Sequence, residues 1–267
     1  MEYIDKTNPD IKKEAYRLLK EFIDGQWQRD ISCYVNLTYK NFDKSNLRSL
    51  LLNEQKYFCC YCMRSISDTD TTLEHIIPNK EKETAVFDKY KLFGDINDNV
   101  FLWLDDMSST QISQLPPFPH ILAYENLVAS CKGIIPEKSS AQCCNIKRGE
   151  EEIIPVFYIT NARNEFNYDV SGVIVCDSKY YDTIEVLGLE APTLQRFRRC
   201  WLNLPSQYDA SDVNDACIDE DLRHKIIDDM DYSRISTSDR GTIFNPTYWK
   251  AFAKYFWFYE YKQANGL

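Results

Sequence analysis

Cysteines stand in two clusters whose spacing suits a metal ion. Cys59 and Cys62 have the C-x-x-C spacing that lets two thiolates bind one ion from a tight turn. The second cluster contains Cys131, Cys143 and Cys144. Because two separated pairs of thiolates can enclose a zinc ion tetrahedrally, we predict a structural zinc ion bound by Cys59, Cys62, Cys131 and Cys144.

The second pair of these ligands is spaced irregularly. About a dozen residues separate Cys131 from Cys144, where a compact knuckle has about two, so Cys60 and Cys143 are alternative ligands. The competing interpretation is that the cysteines are buried free thiols, since cysteine is among the most buried residue types. Two clusters on either side of a further motif favour the metal site.

That further motif is LEHIIP, residues 73–78, in which Glu74 directly precedes His75, one of three histidines in the chain. Two asparagines follow, Asn126 in YENLV and Asn145 directly after the last cysteine of the second cluster. An imidazole that titrates near neutrality can take a proton from water. Carboxylate and amide oxygens suit Mg²⁺ or Mn²⁺. Each residue alone has an ordinary structural interpretation, and their order between the cysteines is the specific signal.

This order resembles the HNH endonuclease family and its ββα-metal fold over roughly residues 57–150. The resemblance implies hydrolysis of DNA, with Mg²⁺ or Mn²⁺ as the catalytic ion. It implies a role for each motif residue: Glu74 and Asn145 bind the catalytic ion, His75 is the general base, Asn126 holds the loop that orients His75, and Lys147 or Arg148 faces the phosphate. Asn145 stands where the family also uses histidine, which removes a nitrogen ligand.

A second resemblance covers most of the chain from the first cysteines onward. It is to the HNH subunits of Septu anti-phage defence systems, the PtuB family, and to related retron-associated HNH nucleases. The resemblance is carried by Ile154-Pro155, a hairpin-like stretch at 166–172, the motif at 183–189 and the arginines at 196–199. Such proteins act beside an ATPase subunit, PtuA, so the resemblance implies a hetero-oligomer with an ATPase partner and with DNA.

The chain has 267 residues and a net charge of −10. No stretch approaches the roughly 20 apolar residues that span a bilayer, and the charged N-terminus is unlike a secretion signal, so we expect a cytoplasmic protein. The acidity counts against unaided binding of nucleic acid. Residues 1–150 carry 19 Lys and Arg against 22 Asp and Glu, a net of −3, and residues 151–267 carry 12 against 19, a net of −7. A local basic patch or a partner subunit would reconcile this charge with DNA cleavage.

Periodicity and the resemblance together predict an α+β fold. We expect a zinc-stabilised ββα-metal HNH core at 57–150 with an insertion at 79–123, an N-terminal helical region at 1–56, and a hairpin and helical region at 151–267 that is the candidate partner-binding region. The expected elements are helices at 8–24, 45–56, 182–203, 213–231 and 246–263, a strand at 71–77, a strand-to-helix turn at 123–130 and a hairpin arm at 168–175.

The C-terminal segment, 246–262, is aromatic almost all round, and such a helix cannot leave both faces in water. We assign one face to the core: Trp249, Phe252 and Phe256. The second face, with Tyr255 and Phe258, is either covered by the insertion or contacts the ATPase partner, because aromatic side chains are enriched at interfaces.

Two other functions fit the same residues. A zinc-binding adaptor would keep the four cysteines without activity, and the intact set of Glu74, His75 and Asn145 argues against it. An HNH-type nuclease that acts on RNA fits as well, since nothing in the sequence separates DNA from RNA.

Overall fold

The computed structural model describes residues 1–27, 42–78, 123–133 and 142–267. The chain forms two compact units. Unit 1 is Met1–Cys60, Ser67–Ser130 and Glu150–Arg163, and unit 2 is Tyr61–Ile66, Cys131–Gly149 and Asn164–Leu267. The predicted insertion at 79–123 lies outside the described residues apart from Ala123.

In its described residues, unit 1 contains the helices α1 (Pro9–Trp27) and α2 (Ser45–Glu54) and the short strands β1 (Thr71–His75) and β2 (Leu127–Cys131). All but the last residue of β2 belongs to this unit. Pro9 occupies the first position of α1, where a missing N–H costs little. The Asn8 side chain accepts hydrogen bonds from the next free amides, those of Asp10 and Ile11. These bounds confirm the predicted helices at 8–24 and 45–56 and the predicted strand at 71–77.

Strand β2 corrects one prediction. The expected strand-to-helix turn at 123–130 is wrong, because a 3-10 turn, Tyr124–Asn126, leads into a strand. Every residue of β2 is buried. A strand that is buried on both faces gives a continuous apolar run, and such a run has no period that separates strand from helix.

The two strands form a two-stranded sheet. The backbone just after β1 meets the backbone just before β2, where the Ile76 amide donates to the Asn126 carbonyl at 3.0 Å, so the strands run antiparallel. The Gln55 side chain satisfies the other edge of β2, because its Oε1 accepts from the Ala129 amide and its Nε2 donates to the Ala129 carbonyl, both at 2.7 Å. This amide therefore ties the end of α2 to the middle of β2.

A buried ion network fixes the turn that precedes β2. Lys6 is fully buried, and its Nζ lies 2.6 Å from Glu54 Oε2 and 4.2 Å from the centre of the Tyr124 ring. Burial lowers the pKa of Lys6, and the charge of Glu54 opposes that shift. Lys12 of α1 lies 2.7 Å from the carboxylate of Glu125, which is also fully buried. Helices α1 and α2 thus each contribute one charged side chain to an ion pair at the turn 124–126, and no buried charge in this network is left without an opposite charge.

Unit 2 is mostly helical. Its helices are α3 (Cys144–Arg148), the end of α4 (Ala162–Glu165), α5 (Tyr181–Leu187), α6 (Pro192–Leu202), α7 (Ala210–Asp215), α8 (Glu220–Asp228), α9 (Thr237–Phe244), α10 (Pro246–Ala253) and α11 (Trp257–Asn265), and its strands are β3 (Asn167–Tyr168) and β4 (Ile174–Val175). The strands pair antiparallel, with Asn167 opposite Val175, as the predicted hairpin requires. Gly172 has a φ of +82°, and a Cβ there would meet the backbone of Gln195, so only glycine fits this turn.

The long helices predicted at 182–203, 213–231 and 246–263 are each interrupted. Gly188 ends α5 in the left-handed conformation and Pro192 begins α6. The Asp219 side chain caps the start of α8, and a turn at 254–256 separates α10 from α11. The periodicity holds within each piece, whereas the caps and turns decide where the pieces end.

The C-terminal aromatic segment lies in the core of unit 2. Trp249, Phe252, Tyr255 and Phe258 are all buried, whereas Phe256 is half-buried. The expected partner-facing surface of Tyr255 and Phe258 is therefore wrong, as is the full burial of Phe256. The expectation assumed one continuous helix over 246–262, but the turn at 254–256 divides this segment into α10 and α11, so its residues do not share one helical face.

The arginines of α6 are held inside unit 2. Arg196 and Arg199 both bind the carboxylate of Asp239 in α9, at 2.6 and 2.9 Å, and Arg198 donates to the Gly172 carbonyl at 2.6 Å. Burial would raise the pKa of Asp239, but the hydrogen bond from Arg196 and the charge of Arg199 keep it below its ordinary value. Among the described residues, no helix is both long and apolar enough to cross a lipid bilayer.

Candidate metal centre

The first cysteine knuckle begins where α2 ends. Lys56 and Tyr57 have φ values of +51° and +62°, and Met63, directly after Cys62, has a φ of +60°. Left-handed backbone costs a residue with a Cβ about 1–2 kcal/mol, so the surrounding contacts must hold it. The two turns bracket the C-x-x-C segment and fold it into a compact loop.

Four sulfurs meet at this loop. The Sγ atoms of the buried residues Cys59, Cys62, Cys131 and Cys144 all lie within 4.8 Å of one another. Cys62 Sγ and Cys131 Sγ are 3.8 Å apart, too far for a disulfide bond of about 2.05 Å. Four sulfurs at about 2.3 Å from a zinc ion are about 3.8 Å from one another. The set therefore fits a structural metal such as zinc, and it is the set predicted from the sequence.

Cys60 and Cys143 do not belong to this group. Both are buried, but no further group of three or more His, Cys, Asp or Glu side chains that could hold one ion occurs in the described parts of the chain. Cys143 has extended backbone, with φ −141° and ψ 177°, whereas Cys144 has a left-handed φ of +54°. The Sγ atom of Cys144, and not that of Cys143, belongs to the four-sulfur group.

Gly133 joins the two parts of the second cluster. Its carbonyl accepts a hydrogen bond from the Cys143 amide at 2.9 Å, which brings the chain just after Cys131 to the chain just before Cys144. Gly133 has a φ of +65°, and a Cβ at this position would collide with the Cys143 carbonyl oxygen. The irregular spacing of the second pair of ligands is thus bridged by a backbone contact that only glycine allows.

Two hydroxyl groups contact the sulfurs. Ser130 Oγ lies 3.7 Å from Cys59 Sγ, and the Tyr255 hydroxyl donates to Cys62 Sγ at 3.9 Å. Burial raises the pKa of Tyr255 well above its ordinary value, and the Cys62 sulfur adds to this shift, so the hydroxyl keeps its proton. Neither contact was predicted from the sequence. Ser130 directly precedes the predicted ligand Cys131, so its closeness to the cluster could have been inferred from the sequence. Tyr255 is distant in sequence from all four ligands, so nothing in the local sequence indicates its contact with Cys62.

Glu74 and His75 end strand β1. Glu74 is buried and His75 is half-buried, as expected for neighbours on opposite faces of a strand. The backbone that follows them is held by Asn126, which is fully buried. Asn126 Oδ1 accepts from the Ile77 amide at 2.7 Å, and Asn126 Nδ2 donates to the Ile77 carbonyl at 3.1 Å. One side chain thus satisfies both backbone groups of a residue two positions beyond His75.

The remaining predicted site residues lie in unit 2, on α3. Asn145 is half-buried and Lys147 is exposed. Arg148 is buried, and its guanidinium donates to the Tyr61 hydroxyl at 3.2 Å. Of the two cations expected near a phosphate, Lys147 is therefore the one presented to solvent, and Arg148 stabilises the interior of unit 2.

We compared the chain with protein-family models, with curated proteins and with solved structures, and none of them matched. The four-cysteine cluster and the clamp formed by Asn126 are the features from which a function can be inferred.

Proposed function

We propose that this chain is a metal-dependent endonuclease of the HNH type that hydrolyses phosphodiester bonds in DNA. The observation that carries the proposal is the clamp of Asn126. Its side chain and its carbonyl make three hydrogen bonds to residues 76–77, directly after Glu74 and His75. A fully buried amide that fixes this short segment gives the preceding imidazole a defined position, which a general base requires.

The residue types suit the reaction. His75 is half-buried, so part of its side chain is open to water. It takes the proton of the attacking water, and the pKa of imidazole places this step near neutral pH. Glu74 and Asn145 would supply the oxygen ligands for Mg²⁺ or Mn²⁺, since both side chains carry oxygens that suit a hard cation. When bound, such an ion polarises the phosphate.

The four-cysteine cluster has a structural part in this proposal. Cys131 is the last residue of β2, and Asn126 lies just before the first. Cys131, bound to a zinc ion, would be fixed at one end of the strand, and Asn126 holds the loop at the other end. Zinc in a closed four-thiolate site contributes to folding rather than to chemistry.

The negative net charge of the chain bears on how it would bind DNA. With a net charge of −10, the chain lacks the excess of positive charge on which unaided binding of DNA depends. Lys147 is exposed on α3, whereas Arg196 and Arg199 are both engaged by Asp239. We therefore propose that an ATPase subunit of the kind found beside Septu-type nucleases supplies most contacts to DNA, in an anti-phage defence complex.

A plasmid-nicking assay tests the activity. The full chain, alone and with a Septu-type ATPase subunit, is incubated with supercoiled plasmid and with a structured RNA, in the presence of Mg²⁺ or Mn²⁺. His75→Ala should lower the rate of nicking at least about 100-fold, the usual share of a general base, without a change in melting temperature. His224→Ala is the matched control, because His224 is exposed on α8.

Each outcome separates the candidate functions. Cleavage of the RNA in place of the plasmid makes the enzyme a ribonuclease of the same type. A wild-type protein that retains zinc but cleaves neither substrate with either ion supports a zinc-binding adaptor. Full activity in His75→Ala excludes His75 as the base.

A further inference from the structure

The hydroxyl groups at the four-cysteine cluster point to a role for the C-terminal segment in metal retention. We propose that Tyr255 and Ser130 are hydrogen-bond donors to the metal-bound thiolates of Cys62 and Cys59, and that these two bonds slow the loss of the metal. The proposal depends on the metal site and is independent of the proposed nuclease activity.

The direction of both hydrogen bonds follows from the chemistry of the ligands. A cysteine that binds zinc does so as a thiolate and has no proton to give. Ser130 Oγ, 3.7 Å from Cys59 Sγ, must then donate, as the Tyr255 hydroxyl does to Cys62 Sγ at 3.9 Å. Both distances are long for neutral partners, and charge on the sulfur strengthens and shortens such bonds.

The two bonds act on the step by which a thiolate site loses its metal. Four thiolates around one divalent ion leave an excess of two negative charges. A hydroxyl donor offsets part of this charge on the sulfur and fixes the orientation of the ligand toward the ion. Groups that hydrogen-bond to metal ligands commonly change metal affinity by about 10- to 100-fold.

The position of Tyr255 is fixed from several sides. It lies in the turn between α10 and α11 and is 5% exposed. Its ring packs against that of Phe197, with the centres 5.3 Å apart, and stacks on that of Phe258. The carbonyl of the preceding residue, Lys254, accepts a hydrogen bond from the Ser65 amide at 2.7 Å. The turn is thus attached to the chain just after the first knuckle, so the hydroxyl is held at the sulfur rather than free to swing away.

Ser130 is held just as firmly. It is fully buried in strand β2 and directly precedes the ligand Cys131. Its hydroxyl therefore reaches Cys59 from the same strand that supplies a third sulfur to the cluster. The two donors lie on different elements, Ser130 on β2 and Tyr255 in the turn between α10 and α11, and contact two different ligands, so their effects should be separable.

Cobalt substitution and metal release test the proposal on the full-length protein. Co²⁺ replaces the native metal, the sulfur-to-cobalt charge-transfer bands are recorded, and release of zinc to a chromogenic chelator is timed. Tyr255→Phe should shift the charge-transfer bands and speed release about 10-fold, and Ser130→Ala should do the same. The double variant should release zinc faster than either single variant.

Tyr261→Phe is the matched control. Tyr261 is equally buried, and its hydroxyl makes two hydrogen bonds in the same unit, accepting from the Tyr168 amide and donating to Asn167 Oδ1, both at 3.2 Å. It should lower the melting temperature as Tyr255→Phe does but leave the bands and the release rate unchanged.

Bands and release rates in Tyr255→Phe and Ser130→Ala that match the wild type overturn the proposal. So do changes of the same size in Tyr261→Phe, because they would reflect a general loss of stability. A wild-type protein without four-thiolate cobalt bands would remove the metal site and this inference together, whereas a loss of DNA cleavage alone would leave both intact.

Discussion

At the scale of single residues, Asn126 shows how one side chain can order a segment of backbone. Ile77 is fully buried, so its amide and carbonyl cannot bond to water. The Asn126 side chain supplies both the acceptor and the donor that these groups need. A serine hydroxyl would have to accept and donate through a single oxygen, and an aspartate carboxylate has no proton to donate. An amide offers a separate acceptor and a separate donor atom to the two backbone groups.

Asn126→Ala should destabilise the protein by about 2–3 kcal/mol, because it leaves two buried backbone groups without partners. The change should appear as a lower midpoint in urea unfolding. It should also reduce nicking activity more than the loss of stability explains, since His75 loses the segment that orients it. Asn265→Ala, at the exposed end of α11, should stay within about 0.5 kcal/mol of the wild type. Equal midpoints for Asn126→Ala and wild type would contradict this account.

At the scale of elements, short backbone contacts decide how the metal ligands meet. Cys144 is the first residue of α3, and it reaches the other three sulfurs because Cys143 lies beside Gly133, which follows β2. That contact is the hydrogen bond from the Cys143 amide to the Gly133 carbonyl. Cys144 itself has a φ of +54°, and backbone of this kind persists only where its surroundings enforce it. Gly133 supplies part of that enforcement, and a metal ion bound by the four sulfurs would supply the rest.

Gly133→Ala should therefore cost about 2 kcal/mol or more, from the left-handed φ and from the collision with the Cys143 carbonyl oxygen. Zinc content should fall in parallel, because the second pair of ligands separates. Gly241→Ala is the matched control, since Gly241 lies within α9 and an added Cβ there has no neighbour within 4 Å. That control should be neutral or stabilising by up to about 1 kcal/mol. Loss of zinc from both variants, or from neither, would refute the role of Gly133.

At the scale of the whole molecule, the described cysteines divide into those grouped closely enough to bind one metal ion and those that lie outside this group. Cys59 and Cys200 are both fully buried, but only Cys59 belongs to the four-sulfur group. Burial raises the pKa of Cys200 above its ordinary value, which keeps it as a neutral thiol. A structural zinc site contributes its binding free energy to folding, so the two classes should respond differently to removal of a sulfur.

Metal analysis should find about one zinc per chain, as a single four-thiolate site requires. Removal of that zinc with a chelator should lower the melting temperature. Cys59→Ala should abolish zinc binding and match the chelated protein in stability. Cys200→Ala, which removes an equally buried sulfur, should keep the zinc and lose only the smaller stability due to packing. A wild-type protein without zinc and with an unaltered melting temperature after chelation would show that these sulfurs bind no structural metal.

The sequence by itself determined the features that depend on local spacing. The C-x-x-C pair, the helices at 8–24 and 45–56, the strand at 71–77 and the hairpin near 168–175 all follow from residue type and period over short distances. Local periods reflect one helix turn or one strand pleat, and these are set by the chain itself. The catalytic roles of Glu74, His75, Asn126 and Asn145 stay predictions that the assays above address.

Only the tertiary structure decided which side chains face one another. It selected Cys144 over Cys143, buried Arg148, paired the arginines of α6 with Asp239, and placed Tyr255 at a sulfur instead of at a partner surface. It also divided the long helical patterns with turns at Gly188 and at 254–256. These outcomes depend on contacts between residues far apart in the sequence, and a local period carries no information about the element against which a side chain will pack.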